Sequence, residues 1–144
     1  MPRGESAAGE KEAAETGTLR RKWRSRRVVV EDESMLPALR PGDRLLVDPT
    51  YYRGRRPARG DVVVLRDPER PGRLLVKRVG ATEGEPDPSG APVPSGTLYL
   101  IGDDPARSRD SRSFGPVPLN GLVGRVWFRY APGDRRGPVN GERH

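Results

Sequence analysis

Residues 59–79 read RGDVVVLRDPERPGRLLVKRV. Two apolar runs, Val62–Leu65 and Leu74–Val79, flank a turn segment Asp67–Gly72 rich in charge, proline and glycine. Each run has strand length, and Val and Leu supply all the apolar residues of both. Proline fixes φ and glycine permits positive φ, so the segment between them is a turn with a mechanism. Arg59-Gly60-Asp61 reads as the turn before the first run rather than as an adhesion tripeptide. The same grammar extends both ways. Val28–Val30 and Leu45–Val47 precede it, with Pro41-Gly42-Asp43 between them. Thr97–Ile101 and Leu122–Tyr130 follow it, after the loop 82–96. No amphipathic helix of ten residues is present. Many short strands with Gly/Pro turns predict an all-β fold, a compact antiparallel, barrel-like sheet.

The chain has 144 residues, enough for one modest core. Gly and Pro number 18 and 16, and hydrophobic residues make up 33%. Residues 1–24 lack hydrophobic periodicity and read as a disordered basic arm. Residues 25–133 form the expected domain, and 134–144 a polar tail. The longest apolar run, Val62–Leu65, is far short of the about 20 residues a membrane span needs. It is also too short for the core of a signal peptide. The expected location is therefore the cytoplasm. The alternative is the surface of the cytoplasmic membrane, reached through Arg20, Arg21, Lys22, Arg24, Arg26 and Arg27. No nucleic-acid motif accompanies that cluster, so a solvated arm is the plainer reading and no nucleic-acid partner is expected.

Two absences restrict the chemistry. Cys is missing and the one His is His144, at the end of the chain. Disulfides, Cys/His zinc sites, Cys nucleophiles and nearly all His-based catalysis are excluded. The basic residues are also lopsided. Of 27, only Lys11, Lys22 and Lys77 are lysine, and Lys77 alone lies in the patterned middle. Arginine keeps its proton near neutral pH, whereas a buried lysine can lose it. Lys77 is thus either a surface lysine on one strand face or a base that arginine cannot replace.

Ser34 follows the first strand within Glu33-Ser34-Met35-Leu36-Pro37-Ala38-Leu39. Such a serine is a helix cap or turn residue, or else an exposed nucleophile. A nucleophile needs a base, and with His absent the base left is a neutral lysine. Lys77 would need its pKa lowered by roughly 3 units from about 10.4, which burial among Leu74–Val76 and Val79 supplies if they pack inward. The segment Gly102–Val117 mixes Asp103, Asp104 and Asp110 with Arg107, Arg109 and Arg112. Its carboxylates suit either a divalent metal or local ion pairs, and the interleaved arginines favour ion pairs. A hydroxyl in this loop could also orient a lysine.

Five motifs occur in one order: Ser34-Met35-x-Pro37-x-Leu39; Pro41-Gly42-Asp43; Arg59-Gly60-Asp61-Val62-Val63-Val64; Val76-Lys77-Arg78-Val79; and Gly102-Asp103 through Ser108-x-Asp110-Ser111-Arg112-x-Phe114-Gly115. Together they resemble the type I signal peptidase family of serine proteases, across about 28–131. The resemblance implies a mainly antiparallel β-fold shared with self-cleaving SOS repressors, a Ser/Lys dyad, no metal and no organic cofactor. It implies Ser34 as nucleophile and Lys77 as general base. Ser108 falls on a hydroxyl that hydrogen-bonds the lysine. Asp110 and Arg112 fall on an ion pair, with Asp103 beside them in a supporting role. Met35 and Leu39 match positions lining a pocket for small side chains. The Ser34 N–H is the expected oxyanion donor. Asp32 stands where the family commonly has Gly or Ser, so its carboxylate must point away or activity is altered.

The short form, Gly102-Asp103-Asp104-Pro105, Gly115-Pro116-Val117-Pro118 and Phe128-Arg129-Tyr130-x-Pro132 are most similar to one soluble branch. That branch is the nickel-type superoxide dismutase maturation protease of actinobacteria. It implies limited proteolysis of an N-terminal leader, with a nickel superoxide dismutase precursor as partner. The rival expectations are a signal peptidase acting on exported preproteins at the membrane, a self-cleaving regulator, and a degenerate peptide-binding module.

Overall fold

The computed structural model of the chain describes residues 25–139. In chain order the elements are β1 (Arg26–Val29), β2 (Arg44–Asp48), β3 (Val62–Arg66), β4 (Leu74–Ala81) and β5 (Thr97–Ile101). A one-turn helix α1 (Ser111–Phe114) follows, then β6 (Val117–Pro118), β7 (Leu122–Ala131) and β8 (Gly137–Pro138). All pairings are antiparallel. The strands run β1-β2-β7-β3-β4-β5-β6, with β8 on β7, in a curled, partly open sheet.

β3 explains why the chain curls. Val62, Val63, Val64 and Leu65 are all fully buried, between β7 on one side and β4 on the other. Alternate residues go to opposite faces. Val62 and Val64 join one core cluster with Val30, Met35, Leu39, Leu45, Val47 and Val126. Val63 and Leu65 join a second with Leu75, Val79, Leu98, Leu100 and Val117. A strand covered on both faces reads as a continuous apolar run, which is how 62–65 reads. Register shifts between β2 and β7, β3 and β7, and β4 and β5 supply the local twist that bends the sheet.

β4 instead alternates, with Leu75, Lys77, Val79 and Ala81 buried and the residues between them half-buried. Lys77 therefore lies on the Leu75/Val79 face.

The fold runs past 133, where the sequence suggests a polar tail. Gly137 and Pro138 pair with Arg129 and Phe128. Arg135 donates to Asp43 at 2.8 Å, beside Arg129 at 3.3 Å. Two paired residues are too few to show a period, and the tie depends on a buried carboxylate 92 positions away. Of the basic cluster, Arg26 and Arg27 sit on β1. Arg20, Arg21, Lys22 and Arg24 lie outside the described residues. Among the described residues no helix is long and apolar enough to cross a membrane.

Candidate active site

Four segments meet around Lys77. The first is the turn after β1, which carries Ser34. The second is β4. The third is the end of β5 with Gly102 and Asp103. The fourth is the loop through Ser108 into α1. Among the described residues Lys77 is the largest of the fully buried side chains, at 1% exposure. Its Nζ donates to Ser108 Oγ at 3.1 Å. Ser108 Oγ in turn donates to Asp110 Oδ2 at 2.5 Å. Burial pushes the Lys77 amine below the ordinary lysine range. The nearby Asp32 and Asp110 charges oppose that shift, and Arg109 and Arg112 reinforce it.

Asp110 anchors this relay. Burial alone would raise its carboxyl. Hydrogen bonds from Arg112, Ser108 and the Gly102 amide outweigh burial and hold it well below the usual carboxylate range. The Gly102 N–H donates at 2.8 Å, and the Arg112 N–H and Nε donate at 3.0 and 2.9 Å. Arg112 Nη2 donates as well. Asp110 also caps α1, whose Ser111 hydroxyl accepts from the Leu100 amide at 2.8 Å and docks the helix on β5. Each acidic group of this loop faces an arginine. Asp103 takes a bidentate contact from Arg78 at 2.8 Å on both oxygens, and Asp104 takes Arg107 at 2.9 Å.

Ser34 is buried, at 1% exposure. Its carbonyl accepts from the Asp104 amide at 2.8 Å. Gly102 packs against the Ser34 carbonyl and Ser108 together. A Cβ built on it would lie 2.7 Å from Ser34 O and 2.2 Å from Ser108 Oγ. Glycine at 102 thus lets the serine turn and the lysine's partner share one point. The Ser34 N–H donates to Asp32 Oδ1 at 3.0 Å. Asp32 does not point away from that donor; its carboxylate covers it.

A groove of about 420 Å³ leads up to these residues. One wall is Arg27–Asp32 with Met35, and the other is Gly72–Val76. Among the described residues β1 ends the sheet and pairs with β2 alone, while β4 pairs with β5 only from Arg78 onward. Both walls therefore present strand edges, the geometry in which an extended peptide adds as a strand. Met35 lines the groove. Leu39 is buried in the core cluster with Met35 and is not a lining residue.

Arg78 had no role on sequence grounds, although it stands next to Lys77. Beyond its grip on Asp103 it donates to the Gly60 carbonyl at 2.9 Å. It ties the turn before β3 to the end of β5. Arg109 does similar work, binding Asp67 and Glu69 and pinning the loop to the β3–β4 turn.

Comparison with known proteins agrees with the resemblance at the family level. The family of signal peptidases, peptidase S26, matches residues 18–86 and 85–131. A mitochondrial ATP-independent inner membrane protease subunit 1b of Arabidopsis thaliana is 41% identical over 118 residues, covering 74% of this chain and 70% of that protein. A mitochondrial inner membrane protease subunit 2 of Schizosaccharomyces pombe is 36% identical over 126 residues, covering 78% and 68%. A probable signal peptidase I-1 of Synechocystis is 30% identical over 143 residues, covering 76% and 73%. The match spans nearly all of the described sheet, and the chain belongs to the signal peptidase family, peptidase S26, whose members are serine-type peptidases.

Proposed function

We propose that the chain is an endopeptidase in which Ser34 and Lys77 form the catalytic dyad. The supporting observation is the buried Lys77 amine, poised on Ser108 and pushed toward its neutral form. Neutral Lys77 takes the Ser34 proton as Ser34 Oγ attacks a scissile carbonyl. The Ser34 N–H donates to the oxyanion. Lys77 returns the proton to the leaving amine, and then takes one from water so that hydroxide releases the acyl group and Ser34 recovers its hydrogen. Ser108, Asp110 and Arg112 position the lysine. Asp103 and Arg78 hold the loop. Met35 shapes the groove near the serine.

The proposed reaction is limited proteolysis of an N-terminal leader, bound as a strand between β1 and β4. A nickel superoxide dismutase precursor is the first substrate to test, on the residue motifs of 102–105, 115–118 and 128–132. The relatives named above favour a second reading, since two are inner membrane proteases and one a signal peptidase. In that reading the substrate is an exported preprotein, met at a membrane surface. Location follows the substrate: cytoplasm for the first, the membrane face for the second.

Intact mass of the leader-bearing precursor, after incubation with the protein, tests the proposal. One cut at the leader boundary, lost with Lys77→Ala, supports both dyad and substrate. A preprotein cut in place of the dismutase precursor moves the substrate to the second reading. Peptide binding with no cut in either leaves a binding module.

A further inference from the structure

The dyad reading makes the Ser34 amide the donor to the developing oxyanion, and that amide is already engaged. It donates to Asp32 Oδ1 at 3.0 Å. The same carboxylate is foremost among the charges that hold the Lys77 amine toward its protonated form. Asp32 is exposed and lines the groove; Ser34 is buried and does not. One side chain thus stands between the incoming peptide and the serine, and opposes both halves of the attack.

We propose that Asp32 is a built-in brake, a stand-in for the substrate's oxyanion that a bound peptide must displace. This rests on the Ser34/Lys77 reading. The neighbouring charges fit the role. Asp110 is fixed by donors from Gly102, Ser108 and Arg112. Glu33 turns to Arg107, at 3.5 Å. Arg109 and Arg112, whose charges also act on the amine, are held by Asp67 and Asp110. Asp32 is held by a two-residue local hydrogen bond at the surface, so it swings into water at low cost. Peptide seated in the groove can displace it, and acylation is then coupled to occupancy of the groove.

The test uses the full chain and an internally quenched peptide library with alanine fixed at alternate positions. Asp32→Ala removes acceptor and charge. Asp32→Asn keeps an acceptor oxygen and removes the charge alone. Asp32→Ala should raise kcat/KM about ten-fold, the size of a freed charged hydrogen bond. Asp32→Asn should gain less in kcat, yet shift the acid limb of the pH profile downward, as Lys77 sheds its proton more readily. In the wild type the Ser34 amide proton resonance should lie downfield, as expected of a donor to a carboxylate, and move upfield in Asp32→Ala. Asp32→Ala cleaving no faster than wild type, while Ser34→Ala and Lys77→Ala abolish cleavage, overturns the brake and leaves the dyad. Wild-type cleavage by Ser34→Ala and Lys77→Ala overturns the dyad and the brake with it. If Asp32→Ala does not fold, an unmoved acid limb in Asp32→Asn overturns the brake.

Discussion

Ser108 Oγ lies 3.1 Å from Lys77 Nζ and 2.5 Å from Asp110 Oδ2, so one hydroxyl accepts from the lysine and donates to the carboxylate. Its single hydrogen is committed to Asp110, which leaves its lone pairs for the amine. Ser108→Ala removes the lysine's acceptor without unpairing Asp110, which keeps Gly102 and Arg112. We expect kcat to fall about 100-fold with KM nearly unchanged, since a misaimed general base loses most of its contribution. Ser108→Thr, which retains the hydroxyl, should recover much of the rate. Steady-state kinetics of the two variants decides it; equal losses in both would remove the hydroxyl from the mechanism.

Lys77 should cost the fold stability. Its amine is buried beside Leu75 and Val79 and its pKa is lowered by that burial. Between the folded value and about 10.4 the unfolded chain binds more protons than the folded one, so stability rises with pH across that window. Below the folded value the full cost of burying an ammonium applies. Lys77→Met fills similar space without charge. It should abolish cleavage and stabilise the protein by about 2 kcal/mol at low and neutral pH, with the gain shrinking toward pH 10. Urea midpoints of both proteins at pH 7 and pH 10 measure this. A less stable Lys77→Met at pH 7 would mean that the lysine is structural.

Three buried carboxylates set the acid limit. Arg112 and Ser108 hold Asp110 low, Arg109 holds Asp67 low, and Arg135 with the Arg40 amide holds Asp43 low, each against the opposing effect of burial. A depressed carboxylate contributes stability that is complete above its unfolded pKa, about 3.9, and is lost as pH falls through the folded value. The urea midpoint should therefore be flat from pH 7 to about 5 and drop steeply below 4. Asp110→Asn should lower stability by about 2 kcal/mol at pH 7, discounted for the part-exposed Arg112, and flatten the acid drop. An unchanged acid slope in that variant would assign the limit to other groups.

Lys77 was legible in the sequence because it stands alone: one lysine among arginines, in an apolar run whose period places it with Leu75 and Val79. β3 was legible because burial on both faces leaves nothing but Val and Leu at 62–65. The pairs that complete the site were not. Arg78 and Asp103 are 25 positions apart, and Arg109 and Asp67 are 42 apart. Each pairing follows from how strands and loops are brought together, which no local pattern encodes. The Asp32 contact is local, yet an aspartate two residues before a serine has many orientations, and the turn chooses among them. β8 was missed because a two-residue strand has no period.

Gly102 and Gly124 separate the needs of the site from those of the sheet. At both, an added Cβ meets backbone under 3.0 Å: Ser34 O at 2.7 Å for Gly102, and Asp48 O at 2.5 Å for Gly124. Backbone cannot step aside as a flexible side chain does, so both Gly→Ala variants should lose about 1–3 kcal/mol or more. Their consequences for cleavage differ. Gly124 lies on β7 opposite Val64, with β3 between it and β4, and its close contacts are Asp48 and Pro49 rather than Ser34 or Ser108, so Gly124→Ala should keep its kcat at a temperature where it remains folded. Gly102→Ala pushes directly on Ser108 Oγ, 2.2 Å away, and on the Ser34 turn. It should lose kcat at least as severely as Ser108→Ala, and retain little activity even where it is folded. Thermal melts paired with kcat on the folded fraction test the contrast. Matched losses of activity and stability in both variants would show that Gly102 serves packing alone.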